Sequence, residues 1–324
     1  STLVIDGFTV RNGKAPTLPD YPYLDNGGAV LVSGLANPTF KNCRLESSLA
    51  HAGGGIYVGA HCGIRVEGCV LEADSVTTFE AGAGVHGAYP STVTILGSVI
   101  QGNRRGFGIQ GYGTTYLDSC HVEGNAGSGV HVDGDGWVRD CTITGNGGEG
   151  LQLGHSTQWG WGGSAIAQRC MVTGNGGAGI VGAGELIETC SISGNGSSGV
   201  VVAGTVIRDC MIEDNDGTGV DMLAGLLEGC RISGNAGGGA VAQCDIWSAS
   251  CPTLKDCVVS GNHGSGVTFG PGGGILELGW MIGCTVSGNH ATIGGGVWAR
   301  ADQVDISRSI IQGNCADSLG AEVY

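Results

Sequence analysis

Aligned on the glycine that precedes each of them, His86, Gln110, His131 and Gln152 share one outward position on four successive segments of the chain. Tyr112 and Asp133 stand two residues further on in their segments, Trp159, Trp161 and His155 lie in a loop inserted just after Gln152, and Arg104 and Arg105 occupy a nearby corner. Planar rings together with amide and imidazole donors along a shallow surface are what a polysaccharide chain needs for recognition. Catalysis asks for more. Glycoside hydrolysis takes two carboxyl groups roughly 5 to 10 Å apart, which Asp133 and Asp135 on one strand face would supply. A lyase takes a base, for which His131 or Arg105 could serve, and a group that neutralises the sugar carboxylate. No dense ionisable cluster backs either constellation, and single charged groups on a surface are usually only solvated. The reading therefore leans away from an enzyme, with an ordinary polar face and loop-packing tryptophans as the plain alternative.

These residues are positioned by a repeat. The phrase C-x-[IV]-x-x-N, followed by glycine, recurs every twenty residues from Cys170 to Asn235: Cys170 and Asn175, Cys190 and Asn195, Cys210 and Asn215, Cys230 and Asn235, with Gly179, Gly199, Gly219 and Gly239 completing the copies. It returns at Cys43, Cys69, Ser98, Cys120, Cys141, Cys257, Cys284 and Ser309, with Phe8 in the first slot, so about thirteen turns cover the chain. A fixed period of this kind means one supersecondary unit stacked on copies of itself, with insertions falling on loops.

Each turn divides into three short strands with alternating apolar residues. Around Cys190 they are 185–188, 190–193 and 200–202, with Ile187, Cys190, Ile192, Val200 and Val202 inward. Twenty residues leave no room for a crossover helix in every turn, so three parallel sheets remain. The recurring asparagines, Asn103 to Asn314, suit left-handed corners and can hydrogen-bond along the stack at the ~4.8 Å spacing of a sheet. The glycines after them suit turns with positive φ.

At these residues the chain resembles the right-handed parallel β-helix superfamily, the pectate-lyase-like proteins, and especially bacterial surface proteins built of C-x-I-x-G-N and G-G-G-I-Y units. GGGIY stands at Gly53 to Tyr57, DGFTV at Asp6 to Val10 and GGAV at Gly27 to Val30. The resemblance spans the whole chain and implies an all-β solenoid, 1–324, as a single domain. Its members include lyases, hydrolases, epimerases, tailspikes, adhesins and structural proteins, so activity must be argued from the site.

Composition agrees with a solenoid: 66 glycines, 6% aromatic residues and a mean hydropathy of +0.15. A net charge of −15 with three lysines opposes nucleic acid, and no apolar run approaches the ~20 residues of a membrane helix. The absence of an initiating Met and of a signal peptide suggests a processed or excised part of a longer chain. Ten of the 14 cysteines fall in the inward ladder and read as buried thiols; Cys62, Cys244, Cys251 and Cys315 do not, and Cys244 with Cys251 form the expected disulfide. No C-x-x-C pair points to zinc. No cofactor is expected, calcium between Asp214, Asp216 and Asp221 being the one alternative.

A second outward feature is apolar. Tyr116, Trp137, Ile166, Leu186, Val206 and Leu226 lie four residues before the cysteine slot on consecutive turns, and Trp280 follows two turns later. A continuous stripe marks a contact surface, unless a loop covers it. The expectation is a secreted or cell-surface solenoid with a structural, adhesive or assembly role, associating with copies of itself or a neighbouring domain through this stripe and the solenoid ends. The alternative is a polysaccharide-active lyase or hydrolase, or a glycan-binding module, using the face near His131.

Overall fold

The computed structural model describes residues 3–15, 25–78, 81–154, 164–243, 251–270, 278–299 and 303–324. Every regular element among them is a β-strand, and the strands pair in parallel. The turn around Cys190 shows the unit: Leu186–Glu188 precedes the cysteine, Ser191–Ser193 follows it, and Val200–Ala203 comes after the asparagine and glycines. We call the sheets built from these three positions the first, second and third. Each strand pairs with its counterpart one turn away, for example Ile187 with Ile207 and Ile192 with Ile212. This is the parallel β-solenoid expected from the repeat.

The chain divides into two compact units, Ser1–Gly176 and Gly177–Tyr324. In the first unit the second sheet runs from Thr9–Arg11 through Arg44–Glu46, Val70–Glu72, Val99–Gln101, His121–Glu123 and Thr142–Thr144 to Met171–Thr173. In the second unit the strands at the corresponding position run from Ser191–Ser193 to Ile310–Gln312. Within each unit the alternating inward residues stack on like residues; Ile187, Ile207, Leu227, Leu254 and Met281 are all fully buried. Each such large side chain removed from water stabilises the fold by about 1.5–3 kcal/mol.

Two polar ladders run beside this apolar core. The ten repeat cysteines are buried thiols outside any disulfide. The Cys190 N–H donates to Cys210 Sγ at 3.4 Å and the Cys210 N–H to Cys230 Sγ at 3.4 Å, while each thiol lies near a carbonyl, as Cys210 Sγ does near Arg208 O at 3.2 Å. The asparagines form a second file. In the first unit Asn103 Nδ2 donates to Asn125 Oδ1 at 2.7 Å, Asn125 to Asn146 at 2.8 Å and Asn146 to Asn175 at 2.9 Å. In the second unit the contacts from Asn195 to Asn314 span 2.8–3.0 Å. Each Oδ1 also takes the backbone N–H of the preceding asparagine, as Asn215 Oδ1 does from Asn195 at 3.1 Å.

The corner geometry differs from the expectation in two respects. The ladder asparagines do not take positive φ; the residue before each does, as at Gly194 (60°) and Asp214 (54°). Left-handed backbone also falls just before the cysteine slot, at Thr189 (55°) and Asp209 (52°). The asparagines are there for their amides. The glycines after them are likewise not φ-positive but sterically required: a Cβ on Gly199 would lie 2.5 Å from Ile212 Cγ2, 2.7 Å from Gly219 O and 2.9 Å from Asn215 Nδ2. Close approach of one turn to the next excludes any side chain there.

Candidate functional site

The third sheet of the first unit brings the recognition residues into one row. His86 pairs in register with Tyr57 on one side and Gln110 on the other, Gln110 with His131, and His131 with Gln152. Tyr57 was not among the residues expected here, although GGGIY carries it at the same offset one turn earlier. The Tyr57 and His86 rings stack with centroids 5.3 Å apart and an 8° interplanar angle. Tyr112 meets His86 and His131 edge-on at 5.6 and 6.1 Å, and Phe107 meets His131 at 5.3 Å.

The rings close over the middle of the row. Gln110 is 1% and His131 9% exposed, so these two support the face rather than form its surface; Tyr57, His86, Tyr112 and Gln152 are half-buried. Gln110 Nε2 donates to the Tyr112 hydroxyl at 2.8 Å, and Gln110 Oε1 accepts the Gly82 N–H at 3.1 Å. At the far end Gln152 Nε2 donates to Glu149 Oε2 at 3.0 Å and Ser128 Oγ to the same oxygen at 2.7 Å. Glu149 and Ser128 were also unexpected; each stands three residues before its row member, an offset readable in the sequence.

Burial pushes the His86 imidazole down to about 4, so its ring is neutral near pH 7. Its Nδ1 lies 3.4 Å from the Gly82 N–H as acceptor, which leaves Nε2 to carry the proton. Burial raises the Tyr57 phenol. At Glu149 burial alone would raise the carboxyl, but Ser128, its own backbone N–H and Gln152 outweigh it and hold the group below the usual range. The face thus presents the neutral His86 imidazole, tyrosine rings, amides and a carboxylate.

Other expected residues fall as follows. Asp133 continues the row that includes Tyr112, its N–H donating to Gly111 O at 2.9 Å. The strand ends at Val132, before both Asp133 and Asp135, and Asp135 Oδ1 accepts the Ser164 N–H at 2.9 Å at the next corner. Arg104 and Arg105 are exposed at the corner before Phe107. His155, Trp159, Trp161 and Cys244 lie outside the described residues. Cys251 is disulfide-bonded, whereas Cys62 and Cys315 are free. Asp214 and Asp216 flank the ladder at Asn215 while Asp221 sits on the third sheet and accepts from Gln243 Nε2 at 3.3 Å. Among the described residues no group of three or more His, Cys, Asp or Glu is placed to hold a metal ion.

The apolar stripe lies on the first sheet. In the first unit Tyr116 pairs with Trp137 and Trp137 with Ile166; the Tyr116 and Trp137 rings are 5.0 Å apart, and the Arg139 guanidinium lies 4.8 Å from the Trp137 ring centre. In the second unit Leu186 pairs with Val206 and Val206 with Leu226, the row continuing through Thr253 to Trp280. Beside it Arg208 bridges Glu188 (3.9 Å) and Glu228 (3.1 Å), and Lys255 meets Glu228 at 2.5 Å. All six stripe residues are half-buried.

The model of the right-handed beta helix region matches residues 28–185 and 181–314. The chain belongs to this family. Among solved structures this β-helix is similar to the A-module of Azotobacter vinelandii mannuronan C-5 epimerase AlgE4, at 15% identity and a TM-score of 0.62, over 100% of this chain and 90% of that one. It is also similar to the periplasmic alginate epimerase AlgG (11% identity, TM-score 0.55, 96% of this chain and 74% of that one). The catalytic domain of a GH87 alpha-1,3-glucanase aligns at 8% identity and a TM-score of 0.54, over 100% of this chain and 63% of that one. No curated protein matches in sequence. At these identities the likeness speaks of the fold, and each of these neighbours is a polysaccharide-active enzyme.

Proposed function

We propose that this β-helix, exported from the cell, binds an uncharged polysaccharide along the third-sheet face of its first unit. The observation that carries the reading is the register: Tyr57, His86 and Gln152 are the accessible members of one file that continues through the buried Gln110 and His131, with Tyr112 and Asp133 beside it. A polymer of repeating units meets a surface whose stacking and hydrogen-bonding groups repeat from turn to turn. Asp133 and Glu149 on this face, with a net charge of −15 for the chain, disfavour uronate polymers. Recognition is the reading supported, because Asp135 is tied to the Ser164 corner and His86 is neutral and engaged with Gly82. The neighbours' activity on polysaccharides supports the ligand class.

The test is affinity electrophoresis and calorimetry with soluble uncharged glucans, mannans and xylans beside alginate and polygalacturonate. Retardation by one uncharged polymer is expected, weakened at least tenfold by Tyr57→Ala and by Gln152→Ala. Failure of every polymer to bind, or binding untouched by both substitutions, would remove this face from the reading. Preference for the uronates would overturn the assignment of an uncharged ligand. A second reading, lateral assembly, rests on the Leu186, Val206 and Leu226 row of the second unit and its flanking charges.

A further inference from the structure

One rung of the polar ladder carries a carboxyl group. Ser48, Asp74 and Asn103 occupy successive rungs at the start of the file: Ser48 N–H donates to Asp74 Oδ1 at 2.8 Å, and Asp74 N–H donates to Asn103 Oδ1 at 2.9 Å. The same backbone contacts recur where Asn103 N–H meets Asn125 Oδ1 (3.2 Å) and Asn125 N–H meets Asn146 Oδ1 (3.1 Å). On those later rungs the second amide atom, Nδ2, also donates to the next Oδ1 at 2.7 and 2.8 Å. In Asp74 the corresponding atom is Oδ2. It is buried with no hydrogen-bond donor among the described residues, in a side chain that is 0% exposed. Gly55 backs onto it so closely that an ideal Cβ there would lie 2.5 Å from Oδ2, which leaves no space for a counter-ion on that side.

A carboxylate at this fully buried place would set two acceptors, Asp74 Oδ2 and Asn103 Oδ1, against each other. A carboxylic acid would repeat the donor pattern of the asparagines. We propose that Asp74 is held as the neutral acid, with Oδ2–H donating to Asn103 Oδ1, and that its ionisation opens the ladder there, making these turns of the first unit a pH-sensitive latch.

The surroundings agree. Burial pushes the carboxyl up to about 8; the Ser48 N–H acts against this, and the charges of Glu72 on the adjoining strand and Glu46 one turn away add to it. Arg44 bridges those two glutamates. Arg104, at the next corner, gives Asp74 only its backbone N–H, to the Asp74 carbonyl at 2.9 Å, with its side chain exposed. No cation pairs with the Asp74 carboxyl among the described residues. In the unfolded chain the group ionises near 3.8. Between that pH and about 8 the unfolded state has released a proton that the folded state keeps, so stability falls as pH rises, the unfolding constant growing about tenfold per pH unit. Below and above this window the contribution is flat. Asp74 touches Gly55, which leads into the strand of Tyr57, so the latch lies at one edge of the proposed glycan face but does not depend on that face binding anything.

The experiment compares wild type with Asp74→Asn by urea unfolding from pH 5 to 9, and follows the Asp74 carboxyl carbon of the native wild type by NMR after backbone assignment. The ratio of the two unfolding constants should grow about tenfold per pH unit up to about pH 8, Asp74→Asn being the more stable protein there. The Asp74 carbon should titrate near 8. A ratio independent of pH, or a carboxyl carbon that titrates below pH 5, would overturn the proposal; the second measurement decides even where Asp74→Asn does not fold.

Discussion

Asn215→Ala is the sharpest test of what the amide file contributes. Asn215 is 1% exposed. Its Oδ1 accepts the Asn195 N–H at 3.1 Å and the Asn195 Nδ2–H at 2.9 Å, and its Nδ2 donates to Asn235 Oδ1 (2.9 Å), Glu213 O (3.1 Å) and Ile192 O (3.3 Å). Truncation takes the Oδ1 acceptor from two buried donors, whereas Asn235 Oδ1 keeps the Asn215 N–H at 3.1 Å. At about 1–3 kcal/mol for each buried polar group deprived of its partner, the loss is about 2–6 kcal/mol. That is a large share of the ~5–15 kcal/mol that separates most folded domains from unfolding. Urea unfolding followed by circular dichroism reads it directly, and the cost should be the same at pH 5 and pH 8. Asn215→Asp supplies the contrast: it keeps Oδ1 but aims Oδ2 at three acceptors, so its cost should rise with pH by about 1.4 kcal/mol per unit until the folded-state carboxyl ionises. A loss below about 1 kcal/mol for Asn215→Ala, or an Asn215→Asp cost indifferent to pH, would refute the view that the amides hold the turns together.

Three further outcomes follow from the same geometry. Gly199→Ala should cost about 1–3 kcal/mol by overpacking against Ile212, Gly219 and Asn215, whereas Gly204→Ala, at φ 67° with nothing within 4 Å, should cost only about 1 kcal/mol; thermal unfolding of the pair separates steric from conformational need. The depressed His86 imidazole makes stability fall as pH drops from the unfolded value near 6.5 towards about 4, and His86→Gln should flatten that acid limb in urea midpoints measured from pH 7 to 4. If the first-sheet row of the second unit mediates assembly, replacing Leu186, Val206 and Leu226 with Asp should shift sedimentation from oligomer to monomer without changing the far-ultraviolet spectrum, because all three side chains point outward. A wild-type monomer at high concentration would end that reading.

The solenoid was legible because its rungs are written as single letters: a cysteine and an asparagine at a fixed distance mark one turn. The register of His86, Gln110, His131 and Gln152 followed from aligning glycines, since each sits at the same inter-turn contact. Three things could not be read this way. Whether the corner strain falls on the asparagine or on the residue before it is decided by where the amide must point. The burial of Gln110 and His131 depends on Phe107 and Tyr112, whose rings reach across turns and follow no period. The engagement of Asp135 depends on the N–H of Ser164, 29 residues further along the chain. Tyr57, Ser128 and Glu149, by contrast, stand at readable offsets, Tyr57 one turn before His86 and the other two three residues before His131 and Gln152.

The cysteine file gives this protein a set of reporters spread along its length. Each thiol is shielded until its own turn opens, and in a stacked array neighbouring turns open in blocks. Brief exposure to an alkylating reagent, followed by peptide mapping, would therefore record which turns open together and how often, with Cys315 as the surface reference already exposed in the native state. The order in which Cys43 to Cys284 become labelled is a map of where the coil comes apart, obtained without adding a probe or changing a residue.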